Sequence, residues 1–91
     1  MSEIKLGIIG GGQLGSMLCQ AAKKLNIKTI IYSDDVESPA QNFCDEFISS
    51  EYSNKDKIYE FAKKVDVITY EFENIPYDTL NELNKLKSVS P

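Results

Sequence analysis

Two short segments of this sequence hold residue types whose spacing could do chemistry. The first is Gly10-Gly11-Gly12-Gln13-Leu14-Gly15, which fits Gly-x-Gly-x-x-Gly. At that spacing the early glycines permit a tight turn and let a ligand approach the backbone. The last permits close packing of helix on strand, and the N–H groups at the helix start attract an anion such as phosphate. The second is Thr69-Tyr70-Glu71-Phe72-Glu73-Asn74-Ile75-Pro76. In extended chain Glu71 and Glu73 share one side, and Tyr70 and Phe72 the other. A carboxylate held there could accept hydrogen bonds from ribose hydroxyls or from an amine. Each segment also has a plainer reading. A glycine-rich turn closes a compact strand–helix unit, and glutamates just before a helix are favoured by its dipole. Three consecutive glycines cost backbone entropy on folding, which tips the first segment toward ligand approach.

A third feature keeps an alternative open. Asp34 and Asp35 follow the glycine loop by about the interval of 20 residues at which a dinucleotide fold places its ribose-binding carboxylate. A NAD-binding domain of an oxidoreductase or regulator is therefore a competing reading, although a solvated strand end is the preferred account of these two aspartates.

Other chemistry is excluded by composition. The 91 residues contain no histidine, so imidazole catalysis and His-ligated metal are absent. The two cysteines, Cys19 and Cys44, lack metal-ligand spacing and read as buried thiols of a reducing compartment. No catalytic residue and no metal ligand is assigned. The net charge of −4 is a poor match to nucleic acid. The start of the chain lacks the basic and apolar regions of a signal peptide, and the uncharged run from Leu6 to Ala22 is too polar and too short to span a membrane. A chain of this length makes one small domain, residues 1–91.

The elements that must position these segments alternate. Ile4–Ile9 is a short apolar run leading into glycines, the first strand. Leu14, Leu18, Ala21, Ala22 and Leu25 recur with helical spacing, so a helix is expected from Gln13 to near Asn26, with Asn26 at a left-handed cap position. Lys28–Tyr32 is a β-branched second strand closed by Ser33-Asp34-Asp35. An irregular stretch from Val36 to Asp45 contains Pro39. Phe47–Ser49 is a short third strand. Ser53 is expected to cap a second helix, with Asp56 three residues on and Ile58, Phe61, Ala62 and Val65 as its apolar face. Val67–Tyr70 is the fourth strand. Asn74-Ile75-Pro76 opens a third helix holding Leu80, Leu83 and Leu86, and Ser88–Ser90 begins a fifth strand.

This alternation predicts an α/β fold. It is a Rossmann-like, doubly wound parallel sheet in three α/β/α layers, with strand order 3-2-1-4-5. Ligands of such sheets bind beyond the carboxyl ends of the strands, at the switch point between the first and fourth. The glycine loop, Asp34-Asp35 and Glu71–Asn74 all lead away from that edge.

Taken together the segments are more specific. The glycine–glutamine loop with Met17-Leu18, then Ala21-Ala22, Pro39-Ala40 and the run Asp66 to Pro76, resembles the amino-terminal, pre-ATP-grasp domain of the N5-carboxyaminoimidazole ribonucleotide synthase family. This is the ATPase-subunit type of bacterial purine carboxylase, in the ATP-grasp superfamily. The resemblance extends from Ile4 to Pro91. It implies an enzyme, classed with ligases and lyases, that uses ATP, Mg2+ and bicarbonate to carboxylate the amine of 5-aminoimidazole ribonucleotide. It further implies a cytoplasmic homodimer. Family chains are several times longer and carry the ATP-grasp lobes after this segment, so the 91 residues alone are expected to be inactive and to bind no ATP or Mg2+. Another ATP-grasp ligase or carboxylase is the nearest relative reading.

The resemblance also assigns residues. Gly12, Gln13 and Leu14 would line the ribonucleotide site. Glu73 would bond the ribose or the amine, and Tyr70, Glu71, Gly10, Gly11 and Gly15 would support them. The family's loop continues Gly-Arg-Met, whereas this chain has Gly15-Ser16-Met17. The fixed charge is lost, leaving the helix dipole for phosphate. An apolar patch is expected to be exposed where the remaining lobes would dock.

Overall fold

A computed structural model describes residues 4–70 and 75–90. Its elements are β1 (Lys5–Ile9), α1 (Gln13–Lys24), β2 (Lys28–Ser33), a 3-10 turn (Pro39–Asn42) and β3 (Glu46–Ser49). They continue with α2 (Lys55–Lys64), β4 (Val67–Tyr70), α3 (Tyr77–Asn84) and β5 (Ser88–Val89). The five strands form one parallel sheet in the order β3-β2-β1-β4-β5, as the alternation predicts.

Strand side chains alternate between two faces, and the core follows that parity. Ile9, Ile30, Tyr32 and Ile68 pack with Ile58, Phe61, Ala62 and Val65 at α2 and Leu83 of α3. On the opposite face Ile8 and Ile31 pack with Cys19 of α1 and Ala40 of the 3-10 turn. Three layers result: α1 with the 3-10 turn, the sheet, and α2 with α3. Tyr32 is wholly buried, and its hydroxyl donates to the Glu51 carbonyl at 2.6 Å.

Helix ends show which signals the folded chain uses. Asn26 has φ 60°, the left-handed conformation expected of it. Its N–H donates to the Lys23 carbonyl, and the Ile27 N–H donates to the Ala22 carbonyl. This pair of bonds is a Schellman motif that satisfies otherwise orphaned carbonyls. The cap of α2 is Asn54 rather than Ser53: the Asn54 side chain accepts from the Lys57 N–H at 3.2 Å, and the Ser53 hydroxyl instead donates to Glu51. Pro76 precedes the first turn of α3. Leu83 is fully buried, whereas Leu86 lies past the helix and is exposed. Asn74 lies outside the described residues.

The buried face of α1 is built from small residues. It consists of Gly15, Ser16, Cys19 and Ala22, with Leu18 packed half-buried beside them. Small residues let the helix lie close to the sheet and to the 3-10 turn. The larger residues are displaced outward: Leu14 is 45% exposed, Met17 58% and Leu25 71%. An apolar stripe therefore runs along the outside of α1. No described helix is long and apolar enough to cross a membrane.

Both thiols are free, Cys19 buried and Cys44 half-buried. Burial, reinforced by the neighbouring Cys19, pushes the Cys44 thiol from its ordinary 9.0 up to about 11. Burial also raises Cys19 and Tyr32. Above pH 9.0 the unfolded chain releases the Cys44 proton while the folded chain still holds it, so ν for the unfolded state falls below that of the native state. Stability is then fully present below that pH and lost as pH rises toward 11. The urea midpoint is expected to be level from neutral pH to about pH 9 and to fall by pH 10.5, with Cys44→Ala reducing the fall. Equal slopes in the two proteins would remove Cys44 from the account.

Candidate functional site

The carboxyl end of β1 lies in register with those of its two neighbours: Ile9 pairs with Tyr32 of β2 and with Tyr70 of β4. The glycine turn leaves the sheet between them, at the point where the strand order reverses direction. Gly10 takes φ 104°, a conformation that L side chains rarely adopt, and its N–H donates to the Tyr32 carbonyl at 2.8 Å. Gly12 is the N-cap of α1 and its carbonyl accepts the first helical bond, from Ser16 N–H at 3.0 Å. Gly12 has no side chain with which to cap the helix itself. Gln13 and Leu14 begin the helix and are exposed. The N–H groups of a first helical turn precede the i→i−4 ladder and point along the axis toward the crevice.

Sequence-assigned residues are thus brought together in part. Gly12, Gln13 and Leu14 stand at one side of the switch point and half-buried Tyr70 at the other. Gly10 and Gly11 form the turn, and Gly15 is buried in the contact of α1 with the rest of the fold. Glu71 and Glu73 lie outside the described residues. Ser16, which stands where the resemblance expects arginine, is buried, with the Gln20 amide reaching its carbonyl at 3.4 Å. A cavity of about 180 Å³ also opens between the starts of α2 and α3, lined by Tyr52, Lys55, Asp78 and Glu82 among others.

Residues beyond the glycine motif shape the turn, and sequence reasoning passed over them. A Cβ built on Gly11 would lie 2.4 Å from Ser38 Cβ and 2.5 Å from Ser38 Oγ. The Gly11 carbonyl accepts from the Ala40 N–H at 3.0 Å. Glycine is required at 11 because the segment after β2 presses on the turn. The entropy argument for ligand approach therefore does not apply at that position. The available signal was Ser38-Pro39-Ala40 itself, a small residue ahead of a proline turn in an otherwise polar stretch.

The same packing disfavours a dinucleotide. That ligand would run along the glycine turn to an acid at the end of β2. Here the flank of Gly11 is covered by Ser38 and Ala40. The Asp35 carboxylate accepts from the Glu37 N–H at 2.9 Å and so closes a local turn. Asp34 remains an exposed residue at the strand end.

Sheet order, switch-point turn and helix start define the class: a doubly wound α/β domain whose crevice lies at the carboxyl ends of its strands. Residues 3–91 match the ribonucleotide synthetase preATP-grasp domain, and the chain belongs to that family. Among curated relatives, the N5-carboxyaminoimidazole ribonucleotide synthase of Staphylococcus haemolyticus is 44% identical over 80 residues, 88% of this chain and 21% of the relative. The crystal structure of N5-carboxyaminoimidazole synthetase from Staphylococcus aureus superposes with a TM-score of 0.88 at 36% identity, covering 97% of this chain and 24% of that one. The Aspergillus clavatus synthase, solved in complex with ADP and 5-aminoimidazole ribonucleotide, gives a TM-score of 0.82 at 31% identity, covering 98% of this chain and 24% of that one. The chain spans between a fifth and a quarter of the length of these relatives.

Among the described residues no group of three or more Cys, Asp or Glu side chains converges as a metal site. The chain also has no Gly-x-x-x-x-Gly-Lys-Ser/Thr phosphate loop. The described residues offer no carboxylate cluster that fits Mg2+.

Proposed function

We propose that these 91 residues act as one domain, the ribonucleotide-binding amino-terminal domain of an ATP-dependent N5-carboxyaminoimidazole ribonucleotide synthase of purine biosynthesis. The full-length reaction joins bicarbonate to the exocyclic amine of 5-aminoimidazole ribonucleotide with conversion of ATP to ADP and phosphate. The observation that carries this reading is the position of the glycine turn: at the switch point of a 3-2-1-4-5 sheet, with the start of α1 on one side and the end of β4 on the other. The family membership of residues 3–91 and the ribonucleotide complex of the Aspergillus relative support it.

In this reading Gly12, Gln13 and Leu14 offer backbone N–H groups and the Gln13 amide to the phosphate and ribose. The helix dipole supplies the positive potential that buried Ser16 does not. Glu73 accepts from the ribose or the amine, with Tyr70 and Glu71 behind it. ATP, Mg2+ and bicarbonate are held by the lobes that make up the rest of the longer relatives. The assembled enzyme is a cytoplasmic homodimer.

Calorimetric titration of the chain with 5-aminoimidazole ribonucleotide tests the reading. Saturable binding is expected, weakened about tenfold by Gln13→Ala, equivalent to about 1.4 kcal/mol. NAD is expected to show no saturable heat. With ATP, Mg2+, bicarbonate and substrate together, the chain is expected to turn over nothing above a blank. NAD binding that is lost in Asp34→Ala, with no response to the ribonucleotide, would overturn the assignment.

A further inference from the structure

Ser33 and Ser38 are both buried, and their hydroxyl oxygens lie 2.8 Å apart. The direction of every proton around them follows from chemistry. Ser38 Oγ lies 2.6 Å from the Asp35 carbonyl, which only accepts, so the single Ser38 proton is spent there. The Ser33 hydroxyl must therefore donate to Ser38. Ser33 in turn accepts from the Asp35 N–H at 3.1 Å. Asp35 N–H to Ser33, Ser33 to Ser38 and Ser38 to the Asp35 carbonyl form a closed ring running one way, an arrangement in which each bond polarises the next.

The ring fixes Ser38 where its Cβ meets Gly11 and its chain leads into the 3-10 turn. From that turn the Ala40 N–H donates to the Gly11 carbonyl. A peptide unit is planar and trans, so holding the Gly11 carbonyl toward Ala40 turns the Gly12 N–H to the opposite side. The Ile9–Gly10 peptide is held by the bond from Gly10 N–H to the Tyr32 carbonyl. The turn is thus clamped from the β2 side at two peptides, one on each side of the Gly10–Gly11 unit, by groups that need not touch a ligand.

We propose that Ser38 is a positioning residue for ribonucleotide recognition. Through the hydroxyl ring and the Ala40 bond, it sets the orientation in which the Gly11–Gly12 peptide and the start of α1 are presented. The proposal rests on the reading that Gly12 to Leu14 meet the ribonucleotide.

The test compares the 91-residue chain with Ser38→Ala, Gly11→Ala and the double variant Gly11→Ala/Ser38→Gly. Ser38→Ala keeps the Cβ contact and removes the ring. Gly11→Ala forces a Cβ against Ser38, and the double variant exchanges the methylene from one side of the contact to the other. Hydrogen exchange of the Gly10 and Ala40 amides reports the clamp, with α2 amides as the reference. Ser38→Ala is expected to speed exchange at Gly10 and Ala40 about tenfold and leave α2 unchanged. Titration with 5-aminoimidazole ribonucleotide is expected to weaken about tenfold in each single variant and to stay about tenfold weakened in the double, which relieves the Cβ contact but still lacks the Ser38 hydroxyl.

Equal acceleration in α2, or a double variant restored to wild-type affinity without the Ser38 hydroxyl, would reduce Ser38 to a packing residue and overturn the proposal. Wild-type-like ribonucleotide binding by Ser38→Ala would also overturn it while leaving the functional reading intact. No binding by wild type, with the clamp amides behaving as expected, would instead locate the failure in the functional reading and overturn the ligand role with it.

Discussion

Phe61→Ala is expected to cost the fold about 3–5 kcal/mol, read as the shift of the urea midpoint multiplied by the slope. Domains of this size have about 5–15 kcal/mol in hand, so this one truncation removes a large share. The reason lies in where the ring sits. Phe61 is fully buried on α2 and meets Tyr32 edge-on, with centroids 5.6 Å apart and planes at 62°. Tyr32 is itself fully buried, tied at its hydroxyl to Glu51. Neither side of the resulting void can close without moving a strand or a helix. A loss below about 1 kcal/mol would show that α2 relaxes onto the sheet and that the layer is softer than described.

The same contact predicts the second large effect from the other direction. Gly7 of β1 faces α2, and a Cβ there would stand 2.7 Å from Phe61 Cζ and 3.0 Å from both Val65 methyls. Gly→Ala in a strand ordinarily gains stability because glycine is the more costly residue to order. Here the sign should reverse, with Gly7→Ala losing about 1–3 kcal/mol through overpacking. The cost should shrink when Phe61 is replaced by leucine, because residues in contact couple. Chemical denaturation of the two single variants and the double supplies the cycle. Additive effects would mean that the alanine methyl is accommodated without displacing Phe61.

These effects mark the difference between what pattern reveals and what packing decides. Strand order followed from alternation because parallel strands need crossovers and crossovers have one hand. Asn26 was legible because few residues other than glycine tolerate φ 60°. Helical spacing located α1 but not its buried face, because hydrophobic periodicity marks the largest apolar residues. The sheet selected the smallest ones, Gly15, Ser16, Cys19 and Ala22, for close approach. Ser53 and Asn54 are adjacent and both can cap, and only the position of the helix start chose Asn54. At the site, the glycine turn was visible from its composition. Its partner Ser38 was not, because the contact joins residues from separate elements and no local spacing encodes it. Assignment of Gly12, Gln13, Leu14 and Glu73 came from resemblance, not from any periodicity in this chain.

The sheet order has a consequence for synthesis. β1 is made before the other four strands, yet it occupies the middle of the sheet, between β2 and β4. No strand pairs with a neighbour through a hairpin, so every rung waits for a crossover to be completed. Ile8 and Ile9, both without solvent exposure in the folded chain, have their second flank covered only after Tyr70 has been added. A ribosome-bound intermediate ending before that residue would carry an open, sticky edge on the earliest strand of the sheet. Parallel sheets of high contact order fold slowly for this reason. Quality control would then meet the earliest-made strand of this sheet as its most vulnerable one.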